Sequence, residues 1–228
     1  MSQEFVVQLD RSEYQWDTAE SAASFVLRYI CSLRRFLDTG FQCNERTDQI
    51  LKDLIQDLVN NGYRKTEHTR LRDYLISQLS DYIAINLQNS TTPPLVKGFD
   101  EWKKTEVSLS SLNWMRCWRD SLLERAWRAL ERTEHVTTDK PLYSVLHASS
   151  LNPSATISML SVRVATTQGL KLSEQELTDL LDEARQSFAQ NLADEVSETI
   201  SENTVAGVSE EIQLLGLNRA FDGINLAK

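Results

Sequence analysis

Three cysteines and three histidines are the first side chains to test for chemistry, because thiolates and imidazoles serve as nucleophiles, general bases and metal ligands. Cys31, Cys43 and Cys117 are odd in number, widely spaced and without a C-x-x-C pair. His68, His135 and His147 have no partner at the spacing of a ligand set or a triad. Neither a disulfide framework nor a zinc site is indicated. The phosphate-cradling G-x-x-x-x-G-K and the zinc-peptidase H-E-x-x-H are absent as well. The expectation is a protein that is not an enzyme and uses neither metal nor cofactor.

Trp114, Trp118 and Trp127 stand among Arg116, Arg119 and Arg128. Aromatic faces beside guanidinium groups are the chemistry of single-stranded nucleic-acid binding. The more ordinary reading, which we favour, is core tryptophans on a helix whose arginines are solvated. Charge is unevenly distributed. Residues 1–92 carry 13 acidic against 10 basic residues, residues 93–172 carry 8 against 11, and residues 173–228 carry 12 against 3. A chain that neutralises phosphates usually shows the opposite bias on at least one face.

These residues must be positioned by helices. Four prolines and seven glycines in 228 residues leave little room for a turn-rich β architecture. Asp17 and Glu20 have capping-box spacing, and Ala22, Phe25, Val26, Tyr29, Leu33, Phe36 and Leu37 then recur at helical intervals up to Gly40. A second helix from about Glu45 places Ile50, Leu54, Ile55, Leu58 and Val59 on one face and stops at Asn60-Asn61-Gly62. A third, from Thr69, carries the stripe Leu71, Tyr74, Leu75, Leu79, Tyr82 and Ile83. Three such helices predict an antiparallel module.

The polar, proline-containing stretch Ser90 to Pro94 reads as a linker. After it, a helix over about Leu109–Arg132 presents Leu112, Met115, Leu122, Leu123, Ala126 and Leu130 on one side and Arg125, Arg128 and Arg132 on the other. Pro141–His147 and Pro153–Val164 read as shorter helices. Ser173 then caps a long one, with Glu176 in the box position and Leu177, Leu180, Leu181, Ala184, Phe188 and Leu192 along one face. Ile157–Gln168, the Gly169 turn and this long helix have the order of a helix-turn-helix. The predicted fold is all-α, two helical modules joined by a linker, with a first domain over 1–89, a linker over 90–108, a helix-turn-helix domain over 109–200 and a tail over 201–228 formed by a short helix or ordered segment. No apolar run approaches the roughly 18 residues of a membrane span, and Met1–Asp10 lacks a secretory signal pattern, so no membrane partner and a cytosolic location are expected.

Four stretches, in order, resemble a bacterial RNA polymerase sigma factor of the sigma-70 family, extracytoplasmic-function group, in a divergent form with a C-terminal tail. Thr47 to Gly62 is similar to the family's acidic polymerase-docking helix. Arg70-Leu-Arg-Asp-Tyr-Leu resembles the helix that leads into promoter recognition, and Trp118 to Leu130 the first helix of the family's second domain. Glu195 to Ile200, with Val208 to Leu215, resembles the tail. The resemblance implies binding to core RNA polymerase through Asp48, Asp53 and Gln56. It also implies contact with promoter DNA through Arg70, Arg72 and Tyr74 and, from the second domain, through Gln175, Thr178 and Arg185. A regulatory protein is a further implied partner. The chain departs from the family at Lys52, where glutamine is usual, at Ala84 to Ser90, where a basic run is usual, and in a Gly169–Ser173 turn two residues longer than the common one.

Residue chemistry pulls against DNA contact. The expected recognition helix carries Glu174, Glu176, Asp179, Asp182 and Glu183 against Arg185 alone. Each carboxylate near a phosphate repels it and opposes counterion release. Two functions are therefore expected from the sequence: a sigma factor directing polymerase to a promoter, or a sigma-like interaction module that has lost DNA binding and contacts polymerase or another transcription regulator.

Overall fold

Ser21 opens the first helix, α1 (Ala22–Leu27): its hydroxyl accepts from the Ser24 amide at 3.2 Å. The capping box expected at Asp17 does not form, because Trp16–Thr18 closes into a 3-10 turn and Ala19 is extended. The single helix expected up to Gly40 is two. Arg28 and Tyr29 donate three residues back, to the carbonyls of Phe25 and Val26, and this tightening separates α1 from α2 (Ile30–Phe41). The computed structural model describes residues 5–9, 15–41, 43–64, 67–86, 99–136 and 140–227.

The next helix, α3 (Asn44–Asn61), ends where its sequence predicts. Gly62 takes φ +66°, and its amide closes the last turn onto Leu58 at 3.0 Å. Then come α4 (Leu71–Asn86), α5 (Phe99–Glu106), α6 (Leu112–Val136), α7 (Leu142–Ser150), α8 (Ile157–Gln168), α9 (Glu174–Glu198) and α10 (Val205–Leu214). All-α describes these residues well. Of the expected linker 90–108, residues 90–98, including Ser90 to Pro94, lie outside the described residues, while Phe99–Glu106 is helical. Gly169, at φ +72°, caps α8, and the predicted capping box at α9 is present: the Glu176 amide donates to Ser173 Oγ at 3.2 Å and the Ser173 amide to Glu176 Oε2 at 2.8 Å.

The tail expected as a short helix or ordered segment contains α10, a 3-10 turn over Asn218–Phe221 and a strand, β2 (Ile224–Ala227). This strand pairs in parallel with β1 (Phe5–Gln8), Phe5 opposite Ile224 and Gln8 opposite Ala227. A two-stranded sheet is marginal by itself. Here Val7 and Leu9 are buried, and the Gln190 side chain of α9 bonds both polar groups of Gln8, accepting from its amide at 3.0 Å and donating to its carbonyl at 2.7 Å.

Helices from both sides of residues 87–98 share one hydrophobic core. α6 is its axis: one side packs on α9 and α7, the other on α2, which in turn packs on α3. Trp114 and Trp118 are fully buried, Trp118 4.8 Å from the Tyr29 ring and Trp114 5.4 Å from Phe36. The favoured reading of these two tryptophans as core residues holds; Trp127 is half-buried against Phe188 and Tyr143. Leu112, expected on the apolar face, is 85% exposed, because it is the first residue of α6 and projects beyond its neighbours.

Candidate functional site

The residues implied for polymerase contact sit on α3 but face two directions. Asp48 and Gln56 are exposed beside a groove of about 370 Å³ between α1–α2 and α3. Leu27, Ile30, Leu51, Ile55 and Val59 supply its apolar surface, with Lys52 and the ion pair between Arg34 and Asp48 at its rim. Leu27 is 50% and Val59 62% exposed. Val59 was expected with the inner face. In fact α3 carries two parallel ridges at four-residue spacing: Ile50, Leu54 and Leu58 enter the core, while Leu51, Ile55 and Val59 become progressively more exposed toward the groove. Asp53 points the other way, toward α4, accepting from Gln49 Nε2 at 2.8 Å and Tyr82 Oη at 2.5 Å. Burial, and then the Asp53 carboxylate, push the Tyr82 hydroxyl up to about 12.

The first set implied for DNA contact is closed off. Tyr74 is fully buried, in ring contact with Trp16 and Tyr63, and its hydroxyl accepts from the Arg64 amide at 3.2 Å. Arg72 is 4% exposed and grips Glu211 of α10 through Nε at 2.6 Å and a terminal nitrogen at 3.1 Å, with Asp73 at 2.6 Å. Arg70 joins from the surface side, 2.8 Å from Glu211 and 3.0 Å from Glu210. Desolvation works against the Arg72 charge, but its hydrogen bond and attraction to Glu211 more than offset it, and the guanidinium is held more firmly protonated than usual. The Leu71 amide also donates to the Thr199 carbonyl at 2.9 Å, and the Ser201 amide to the Thr69 carbonyl at 2.8 Å. The sequence placed Arg72 and Tyr74 near melted DNA; the fold turns both inward, because the start of α4 is covered by the segment leading from α9 to α10.

A second buried carboxylate, Glu195 of α9, performs the same joining task elsewhere. It accepts from Arg125 of α6 at 2.5 and 2.9 Å and from Tyr29 Oη at 3.2 Å, with Arg28 3.6 Å away. Burial, followed by the charge of Glu195, raises the Tyr29 hydroxyl well above its ordinary range. Sequence reasoning missed both acid hubs. Their only advance signal was two glutamates, 195 and 211, at positions of α9 and α10 flanked by core residues.

The implied groove-facing set on α9 stays on the surface. Gln175 donates to Asp179 at 2.8 Å, Thr178 to the Glu174 carbonyl at 2.8 Å, and Arg185 to Asp182 at 3.1 Å. Glu183 is bridged by Lys140 at 2.7 Å. Among the described residues no group of three or more His, Cys, Asp or Glu side chains is placed to hold a metal ion, and no helix is long and apolar enough to cross a membrane.

The class defined by these elements is an all-α protein in which residues 5–8 and 224–227 pair in a short parallel sheet. No family model matches the chain, and no curated protein or solved structure matches it at a significant level.

Proposed function

We propose that this chain is a sigma-like protein-interaction module that binds core RNA polymerase through the groove between α1–α2 and α3 and does not itself read promoter DNA. The observation that carries the second half is the burial of Arg72 against Glu211, with Arg70 held beside it. A guanidinium already paired to a buried carboxylate is not available to phosphates or bases. The acidic outer face of α9 argues the same way. The first half rests on the resemblance of Thr47–Gly62 to a polymerase-docking helix and on the apolar groove that this helix borders. A ridge of Leu51, Ile55 and Val59 at four-residue spacing, increasingly exposed toward Val59, suits the apolar face of an amphipathic helix. Contact between Arg72 and DNA would require α4 to part from α10 and break the Arg72–Glu211 pair.

Fluorescence anisotropy of a labelled promoter-sized duplex, with the chain alone and with bacterial core polymerase, over a range of salt, tests this reading. The expected result is no chain-dependent gain in duplex binding under either condition. A salt-sensitive, sequence-selective gain that appears when the chain joins polymerase would establish the promoter-directing function instead.

A further inference from the structure

The cavity between the second half of α6, α7, the middle of α9 and the tail stands apart from the groove on α3. It encloses about 450 Å³, within the roughly 300–1,000 Å³ of small-molecule sites. Its apolar wall is Trp127 and Phe188, ring centroids 4.7 Å apart and tilted by 48°, with Ile224 of β2 beside them. Arg185, Arg219 and Asp222 supply its charge.

Residues 173–228 contain 12 acidic side chains and three basic ones, Arg185, Arg219 and Lys228. Two of those three come from separate elements to line this one cavity. Arg185 is exposed and, among the described residues, pairs with the neighbouring Asp182 at 3.1 Å. Arg219, on the 3-10 turn, is also exposed and makes no hydrogen bond or ion pair among the described residues. Asp182 and Asp222 stand against the two guanidinium groups, and Arg219, with no ion pair of its own among the described residues, is the one placed to receive a single negative charge. Guanidinium groups bind a carboxylate through paired N–H donors, and a planar aromatic body gains offset or edge contacts with Trp127 and Phe188.

We propose that this cavity is a binding site for a small aromatic monocarboxylate, its ring against Trp127 and Phe188 and its carboxylate held by Arg219 and Arg185. The site is independent of the proposed polymerase contact. Isothermal titration of the full chain with 2-naphthoate and with its neutral isostere 2-naphthamide tests it, together with Arg219→Gln, an exposed position whose change leaves the core intact. The expected result is one-to-one binding of the acid at least tenfold tighter than the amide, with R219Q bringing the acid to the amide's level and leaving the amide unchanged. Equal affinities for acid and amide, an unaltered preference in R219Q, or no binding of either compound would overturn the assignment.

Discussion

Glu211 is 1% exposed, on a helix of ten residues, and three nitrogens of two arginines converge on it. Removing one member of a buried pair leaves the other charge without compensation, whereas replacing the pair by apolar groups avoids the desolvation cost. Glu211→Ala is therefore expected to destabilise the fold by about 3–5 kcal/mol in a denaturant titration. The double change R72M/E211L should recover part of that loss, since Arg70 keeps Glu210 at 3.0 Å while Asp73, 2.6 Å from Arg72, loses its partner. A surface residue gives a pH signature of known sign. Two hydrogen bonds from Ser173 hold the Glu176 carboxyl below its ordinary range. Its contribution is fully present above the ordinary glutamate pKa and is lost as pH falls through the depressed one. The difference in thermal midpoint between the native chain and E176Q should consequently shrink between about pH 7 and pH 3. A constant difference would show that the carboxylate charge adds nothing at this cap.

At the scale of elements, α5 is held by a close approach. Trp102 lies over Gly40 of α2, between Phe36 and Phe41, and donates to Thr39 Oγ1 at 3.1 Å. A Cβ at Gly40 would overlap the indole ring. Gly40→Ala should cost about 1–3 kcal/mol and speed amide exchange over residues 99–106, because the indole must leave its seat. An unchanged exchange rate there would mean that α5 is not fastened by this contact. Gly40 reads in the sequence as a helix stop; its place inside α2 follows from Trp102, 62 positions away, and no local pattern reports such a partner. Elements governed by neighbours in the chain were legible: the Gly62 stop, the Ser173 box and the stripe of α9 all follow from their own residues. The candidate groove was half legible, since Asp48 and Gln56 were named while Val59 was assigned inward. Its ridge is apolar like the inner one, and only the neighbouring α1–α2 decides which of the two is covered.

Across the whole molecule, distant segments meet at β1 on β2, at Arg70 and Arg72 on Glu211, and at Tyr29 and Arg125 on Glu195, among other contacts. These contacts join residues far apart in the sequence, which is why a boundary drawn at a proline-containing stretch could not reveal them. They also explain why residues that resemble a promoter-contacting helix serve the interior here; the α3 groove is the surface we propose for a partner. The most direct measurement is the affinity of the labelled full chain for bacterial core RNA polymerase, compared with Val59→Asp. Val59 is 62% exposed, so the change spares the core while placing a charge in the apolar groove. Saturable binding of the native chain, weakened at least about tenfold by V59D without loss of thermal stability, is the predicted result. Absence of binding by the native chain, or equal binding by both, would contradict the proposed docking surface.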